Sequence, residues 1–199
     1  MTAVDCWVDP SCPYTWVTAR WLWEVERVRD VAVRWHVMSL AVLDEGREDD
    51  PEGDPEGWLW QPVRVFALVQ EEHGQAALAA LYRAYGEAVH GRGEWPDTHD
   101  LLRAAGLPEQ LAEAAHTSAH DGLVRASHRS GIELVGTHVG TPVVAVVSGT
   151  GTRSAWFGPV LSRVPVGEEA GRLWDGVTLV AGTSGFHELK GRPHEAPRG

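Results

Sequence analysis

Residues 1–38 change their hydrophobic period twice, and this pattern constrains the fold more than any other part of the chain. Residues 4–8 form a short apolar, β-prone run that ends at Asp9 and Pro10. Helical spacing follows over residues 13–29, and the period of two that is typical of a half-buried strand returns over residues 31–38. A strand, a helix and a second strand in this order predict parallel strands joined by a right-handed crossover.

The middle of the chain is predicted to be helical. Residues 45–57 are acidic and rich in glycine and proline, which indicates a solvated loop. From about residue 60 to residue 130 the sequence has helical patterns and no convincing β-prone run. The patterns are broken at Gly74, at residues 91–96, at residues 106–108 and at Gly131. We interpret this stretch as an all-helical subdomain inserted into an α/β fold.

Strand patterns return after the helical stretch. Residues 143–147 and 153–157 are β-prone, and the turn-forming residues 148–151 between them predict a hairpin that closes the sheet. A last helix is expected to begin at Pro165. The predicted fold class is α/β, a thioredoxin-like fold with an inserted all-helical subdomain. The predicted parts are a discontinuous thioredoxin-like domain (residues 1–44 and 131–190), a helical insertion (58–130) and a loose tail (191–199).

The charge and the first residues argue against several classes of partner. The formal net charge is −11 and Lys190 is the one lysine, so the chain has no polybasic stripe that would bind nucleic acid. Residues 1–5 lack the basic and apolar features of a secretory signal, and no later apolar run approaches membrane-spanning length. We therefore expect a cytoplasmic protein with no membrane partner.

Cys12 is the candidate nucleophile, because it precedes Pro13 at the predicted start of the first helix. Free backbone N–H groups and the helix dipole are expected to lower the pKa of a thiol at this position. The N–H and hydroxyl of Thr15 are placed to donate hydrogen bonds to the sulfur. The alternative is a small, buried and inert cysteine. Cys6, if it lies in a strand, is beyond the ~7 Å limit for a disulfide with Cys12, which predicts two free thiols.

A second feature favours a thiol site. Gly140, Thr141 and Pro142 stand directly before the β-prone run at residues 143–147, where a central strand ordinarily avoids proline. A cis peptide bond between Thr141 and Pro142 would account for the placement. A proline at a sheet edge is the alternative.

Six segments of the sequence then point to a known family. They are Trp-Val-Asp-Pro-Ser-Cys-Pro (7–13), His-Val-Met-Ser-Leu-Ala (36–41), Val-Gly-Thr-Pro (139–142), Phe-Gly-Pro-Val-Leu-Ser (157–162), Gly-Glu-Glu-Ala-Gly (167–171) and Leu-Trp-Asp (173–175). Together they resemble the mycothiol-dependent, DsbA-like oxidoreductases and nitroreductases of actinobacteria, over about residues 4–189. The resemblance implies a thioredoxin fold with a helical lid, and often a homodimer. It also implies mycothiol or another low-molecular-weight thiol as a loosely bound cofactor.

Carried onto this sequence, the resemblance makes Cys12 and Thr15 the predicted catalytic residues. It makes Thr141 and Pro142 the residues that face the sulfur. Four further residues complete the predicted thiol-binding site: Pro13, Tyr14, His90 and Asp44. Thr15 stands where many relatives carry a second cysteine, so a mixed disulfide on Cys12 would have to be resolved by an external thiol.

Three functions remain open. The first is a thiol-disulfide oxidoreductase that works through the single cysteine of Cys-Pro-Tyr-Thr, with a small thiol and a small electrophile or disulfide as partners. The second is a thiol transferase or isomerase that activates a bound thiol. It is motivated by a resemblance to the Ser-Pro-Tyr turn of kappa-class glutathione transferases and 2-hydroxychromene-2-carboxylate isomerases, with Cys12 in place of the serine. The third is a binding protein without catalysis.

A metal site is not predicted. His116 and His120 are four residues apart on a predicted helix, which is a spacing found in some zinc sites. A clear third ligand is missing from the sequence, so the pair is interpreted as two ordinary histidines.

Overall fold

The computed structural model describes residues 1–47, 51–147, 149 and 151–198 of the chain. It begins with strand β1 (Thr2–Val8), helix α1 (Pro13–Val28) and strand β2 (Val31–Val37). Strands β1 and β2 are parallel neighbours. Proline is the first residue of α1, where its missing N–H would have had no partner within the helix. The predicted strand, helix and parallel strand are confirmed.

The described residues between β2 and the next strand are helical or irregular. They form helix α2 (Leu40–Leu43), helix α3 (Trp60–Gly86), a π-helical turn (Glu87–Gly91), helix α4 (Thr98–Ala104), two 3₁₀ segments (Glu109–His116 and Ser118–His120) and helix α5 (Asp121–Ile132). Helix α3 is kinked at Gly74, whose φ of 76° separates two helical segments. In the predicted loop at residues 45–57, residues 48–50 lie outside the described part of the chain. Over the described residues, no helix is both long and apolar enough to cross a membrane.

A hairpin and a helix complete the fold. Strand β3 (Val143–Val147) runs antiparallel to β1 and pairs with strand β4 (Arg153–Phe157), which gives the sheet the order β2-β1-β3-β4. The predicted hairpin is confirmed, although Ser148 and Thr150 of its turn lie outside the described residues. Helix α6 (Glu168–Ala181) packs against α1 and β4.

Two predicted helix boundaries were wrong. Helix α6 begins at Glu168 and not at Pro165, because Gly167 precedes it with a φ of 56° that is not helical. Gly131 does not end helix α5, which continues to Ile132. A Cβ on Gly131 would lie 2.6 Å from the ring of Trp7, so the glycine serves the close packing of α5 on the sheet.

The predicted pairing of His116 and His120 on one helix was also wrong. His116 ends the first 3₁₀ segment and His120 ends the second. Thr117 between the segments has an extended backbone, with φ −132° and ψ 139°, so the four-residue spacing does not place the two rings on one helical face.

The sheet has apolar contacts on both faces. Alternate residues of β1 point to opposite sides, as expected for a strand. Val4 and Val8 join the larger buried cluster, which includes residues of α1, α3 and α6. Trp7 joins a smaller cluster on the other face with Val143 and with Ile132 of α5. Helices α3 and α5 therefore pack on opposite faces of the sheet.

Side chains protect the open edge of strand β2. Three of its backbone N–H groups donate to side-chain oxygens of neighbouring helices at 2.6–2.8 Å, where an edge strand would otherwise expose them. The bonds join Val33 to Glu26 of α1, Trp35 to Gln75 of α3, and Val37 to Gln70 of α3. Two of the three bonds therefore fix α3 to the sheet.

Candidate functional site

Cys12 is the residue before the first turn of α1. Its backbone is extended, with φ −81° and ψ 114°, and its carbonyl accepts the first helical bond, from Trp16 N–H at 3.1 Å. Cys12 N–H donates to the carbonyl of Asp9 at 3.2 Å, which closes the turn between β1 and α1. The residue is 8% exposed. The sulfur therefore lies at the N-terminal end of α1 with little contact to solvent.

The expected low pKa of Cys12 was wrong for this closed arrangement. Burial raises the pKa of the Cys12 thiol, and the negative charge of Asp9 adds to the effect. The neighbouring hydroxyl and N–H of Thr15 and the N–H of Tyr14 oppose the rise in pKa. Desolvation outweighs these donors, and among the described residues the Cys12 side chain accepts no capping hydrogen bond from the first turn of α1. The thiol is the favoured form while the site is closed.

Thr15 and Thr141 join the start of α1 to the segment before β3. Their hydroxyl oxygens are 3.1 Å apart, and both residues are buried. The Thr141 hydroxyl also accepts a hydrogen bond from Asp9 N–H at 3.3 Å. The Thr141–Pro142 peptide bond is cis, and the Pro142 carbonyl accepts a bond from Gly158 N–H at 2.8 Å. The structure therefore brings the predicted Thr15, Thr141 and Pro142 to the Cys12 end of the helix.

Asp9 is a site residue that the sequence reasoning missed. Its carboxylate is completely buried, and each oxygen accepts one backbone bond at 2.7 Å, Oδ1 from Ser11 and Oδ2 from Leu40. Burial raises the pKa of Asp9 to about 7, although both bonds act in the opposite direction. The carboxylate joins the Cys12 turn to the start of α2. An aspartate directly after an apolar strand and three residues before Cys12 was the available signal.

A cavity of about 220 Å³ lies beside the Cys12 turn. It is lined by Pro13, Trp16, Val17, Val89, His90 and Pro197. His90 lies on the π-helical turn, and its Nε2–H donates to the carbonyl of Pro10 at 2.7 Å. Burial lowers the pKa of His90, which favours the neutral ring. The indole N–H of Trp16 is buried and has no acceptor among the described residues.

Two of the predicted binding residues have different surroundings. Tyr14 lies beside residues 194–198, with its hydroxyl donating to the carbonyl of Glu195 at 3.1 Å and its ring 5.4 Å from that of His194. Asp44 ends helix α2 and lines a separate cavity of about 350 Å³ together with Arg47 and Trp60. The structure thus gathers the predicted residues around Cys12 except Asp44.

The second cysteine does not take part in this site. Cys6 is completely buried in β1, and both Cys6 and Cys12 are free thiols. Burial raises the pKa of Cys6 as well. Over the described ranges, no group of three or more His, Cys, Asp or Glu side chains could hold a metal ion. The chemistry available at this site is that of one buried sulfur at a helix start, next to a small cavity.

Comparisons with solved structures support the fold. The chain is similar to SCO1869 of Streptomyces coelicolor, described as a probable DsbA oxidoreductase, with a TM-score of 0.57 and 18% identity over 89% of this chain and 90% of that one. It is similar to the cytosolic disulfide reductase DsbM of Pseudomonas aeruginosa, with a TM-score of 0.56 and 19% identity over 89% and 99%. It is also similar to a 2-hydroxychromene-2-carboxylate isomerase, with a TM-score of 0.57 and 14% identity over 89% and 93%. These similarities confirm the predicted thioredoxin-like α/β fold.

Comparisons of sequence establish the family. The chain is 30% identical over 202 residues to Rv2286c, an uncharacterised protein of Mycobacterium tuberculosis. The matched region covers 96% of this chain and 82% of that protein. Residues 11–191 match the family model described as Rv2466c-like, mycothiol-dependent nitroreductase Rv2466c. The chain therefore belongs to the Rv2466c-like family, as the resemblance in its sequence predicted.

Proposed function

We propose that this protein is a thiol-dependent oxidoreductase in which Cys12 forms a mixed disulfide with a small thiol. The observation that carries the proposal is the position of Cys12 as the residue before the first turn of α1, with Thr15 on that turn. Thr15 is itself 3.1 Å from Thr141, which precedes the cis-proline. Hydrogen-bond donors at this point stabilise a thiolate once the sulfur is reached by a partner.

The proposed reaction uses one protein sulfur. Cys12 loses its proton, and its thiolate attacks one sulfur of a disulfide formed by two small thiols. A new S–S bond forms on Cys12 as the old one breaks, and the second small thiol leaves as a thiolate. A second, different thiol then attacks the small thiol's sulfur in the mixed disulfide and releases the Cys12 thiolate together with a disulfide of the two small thiols, so that one thiol is oxidised as the other is reduced. Thr15 has no sulfur, so the second step depends on an external thiol.

The partner in this proposal is mycothiol or another low-molecular-weight thiol. The family model bears the name of a mycothiol-dependent enzyme, and DsbM has been solved with GSH. The site has one feature that fits part of such a ligand. A cavity of about 220 Å³ adjoins Pro13, the residue that follows Cys12.

The second candidate is an isomerase or transferase that uses the sulfur of a bound thiol. Two observations favour it: the fold similarity to the isomerase, and the raised pKa of Cys12, which leaves a neutral S–H as a donor. In this case Cys12 would hold the ligand's sulfur by a hydrogen bond without reacting with it.

Intact-mass spectrometry after incubation with oxidised mycothiol, and separately with oxidised glutathione, tests the proposal. We expect the protein to gain the mass of one small thiol, and the adduct to be removed by an excess of the reduced thiol. Cys12→Ser should gain no mass, whereas Cys6→Ala should behave as the unchanged protein because Cys6 is completely buried. An unchanged protein that forms no adduct, with a thiol-dependent isomerase or transferase activity that survives in Cys12→Ser, would favour the second candidate.

A further inference from the structure

Residues 194–198 lie across the first turn of α1, and we refer to them as the strap. Residues 187–198 contain neither helix nor strand. The strap nevertheless has specific contacts at both ends. The Glu195 carbonyl accepts the hydrogen bond from Tyr14, and Arg198 N–H donates to the carbonyl of Ser162 at 2.8 Å. Its path therefore passes over the residues that directly follow Cys12.

The strap also forms one wall of the cavity beside Cys12. Pro197 lines this cavity opposite residues of α1 and of the π-helical turn, such as Trp16 and His90. The volume of about 220 Å³ is below the roughly 300 Å³ at which ligand pockets usually begin. A ligand larger than this space must either displace the strap or remain partly outside.

The strap is held in a way that permits it to move. Pro197 is half-buried, and the other strap residues are exposed. Its described contacts with the rest of the chain include two hydrogen bonds and the ring contact between His194 and Tyr14. Groups with few buried apolar contacts open at low free energy. The opposite wall of the cavity belongs to helices packed into the core, so the strap is the wall that can yield.

We propose that the strap is a specificity element that admits small thiols to Cys12 and excludes disulfides carried on proteins. The inference rests on the proposed function and narrows its partners to small molecules. A protein disulfide that approaches Cys12 brings a bulky chain against the surface of the first turn of α1. The side chain of Tyr14 and the strap residues His194 and Glu195 occupy that surface. A small thiol that enters the cavity meets Pro13, the residue next to Cys12, after a limited displacement of Pro197.

The test compares two reagents of the same chemistry and different size. N-ethylmaleimide and a maleimide attached to a long polyethylene glycol both alkylate an accessible thiol, and the ratio of their rate constants reports the access to Cys12. One variant replaces residues 193–198 with Gly-Ser-Gly-Ser-Gly-Ser. The control makes the same replacement in the exposed residues 187–192, which leaves the strap in place. Cys12→Ser identifies any labelling at another position.

Replacement of the strap should raise the rate of the large reagent relative to the small one by roughly tenfold, because the closed population no longer limits access. The control should keep the original ratio. A ratio that changes by less than about twofold on replacement would overturn the proposal. If the replaced chain fails to unfold cooperatively, Pro197→Gly tests the same wall, and the ratio should change in the same direction.

The outcome is separable from that of the proposed function. Alkylation reports access to the sulfur and needs no turnover, whereas the proposed function is tested by the adduct with oxidised mycothiol or glutathione. If the strap discriminates between the two reagents by size but the protein forms no adduct, the proposed role of the strap is supported and the proposed oxidoreductase function is contradicted.

Discussion

Replacing Asp9 by asparagine should remove a pH dependence from the stability of the protein. The buried Asp9 has a pKa of about 7 in the fold, against an ordinary value of 3.8 for an aspartate. Its folded pKa is raised, so the stability it contributes is fully present below pH 3.8 and is lost as pH rises through about 7. The full difference corresponds to about 4 kcal/mol, of which about 2.5 kcal/mol falls between pH 5 and pH 8.

The other effect of the substitution is the same at every pH. An amide has one acceptor oxygen, so Asp9→Asn satisfies only one of the two N–H groups, those of Ser11 and Leu40, that the carboxylate satisfies now. A buried N–H without an acceptor costs about 1–3 kcal/mol. This loss sets a constant difference in the free energy of unfolding between the variant and the unchanged protein. On top of that difference, we expect the variant to gain the 2.5 kcal/mol given above relative to the unchanged protein as pH rises from 5 to 8.

Urea unfolding followed by tryptophan fluorescence at pH 5, 6, 7 and 8 gives the two stability profiles. Glu72→Gln is the control, because the Glu72 side chain is exposed on α3 and its variant should follow the unchanged protein. Burial lowers the pKa of His128 to about 4, so protonation of this group reduces stability below about pH 6.5. All three chains share that term, and it cancels in their differences. A difference between the Asp9 variant and the unchanged protein that stays constant over this range would refute the reasoning.

Two further substitutions test the packing around Cys12. Thr15→Cys creates Cys-Pro-Tyr-Cys, in which the two cysteines are three positions apart near a helix start and have Cα atoms about 5 Å apart. They should form a disulfide with each other and so release the bound small thiol without an external thiol. A small-thiol adduct that persists on the variant in intact-mass spectra would contradict this. Gly86→Ala places a Cβ 2.2 Å from the ring of Trp16 and should lower the free energy of unfolding by about 1–3 kcal/mol. The matched Gly122→Ala, which meets no atom within 4 Å, should raise it by up to about 1 kcal/mol, and equal effects of the two substitutions would be evidence against the close contact.

The elements that the sequence predicted are those whose signals are local. The periods of β1, α1 and β2, the turn residues between β3 and β4, and the break at Gly74 can each be recognised within a short window. The position of Cys12 before Pro13 is local in the same sense. Helix starts were less certain, as Pro165 illustrates, because a favourable residue for a first turn does not by itself begin a helix.

The features that were missed depend on residues far apart in the chain. The pKa of Cys12 is set by how completely the surrounding elements exclude water, which its helix position alone does not determine. Asp9 gains its role from Leu40, and Tyr14 from Glu195, 181 positions further along. Asp44 directly follows the short helix α2, and its side chain lines the separate cavity beside the acidic loop, which its spacing from Cys12 in the sequence does not reveal.

The side-chain bonds that cover the β2 edge limit how the two parts of the molecule can separate. A hinge that lifted α3 from the sheet would break the bonds of Gln70 and Gln75 together and would leave two strand amides bare. Such a motion would also expose an unpaired strand edge, which can form hydrogen bonds with a strand of another chain. Helix α3 is thus held to the sheet by bonds whose loss would expose the β2 edge. We therefore expect any opening of the thiol site to occur on the side away from that edge.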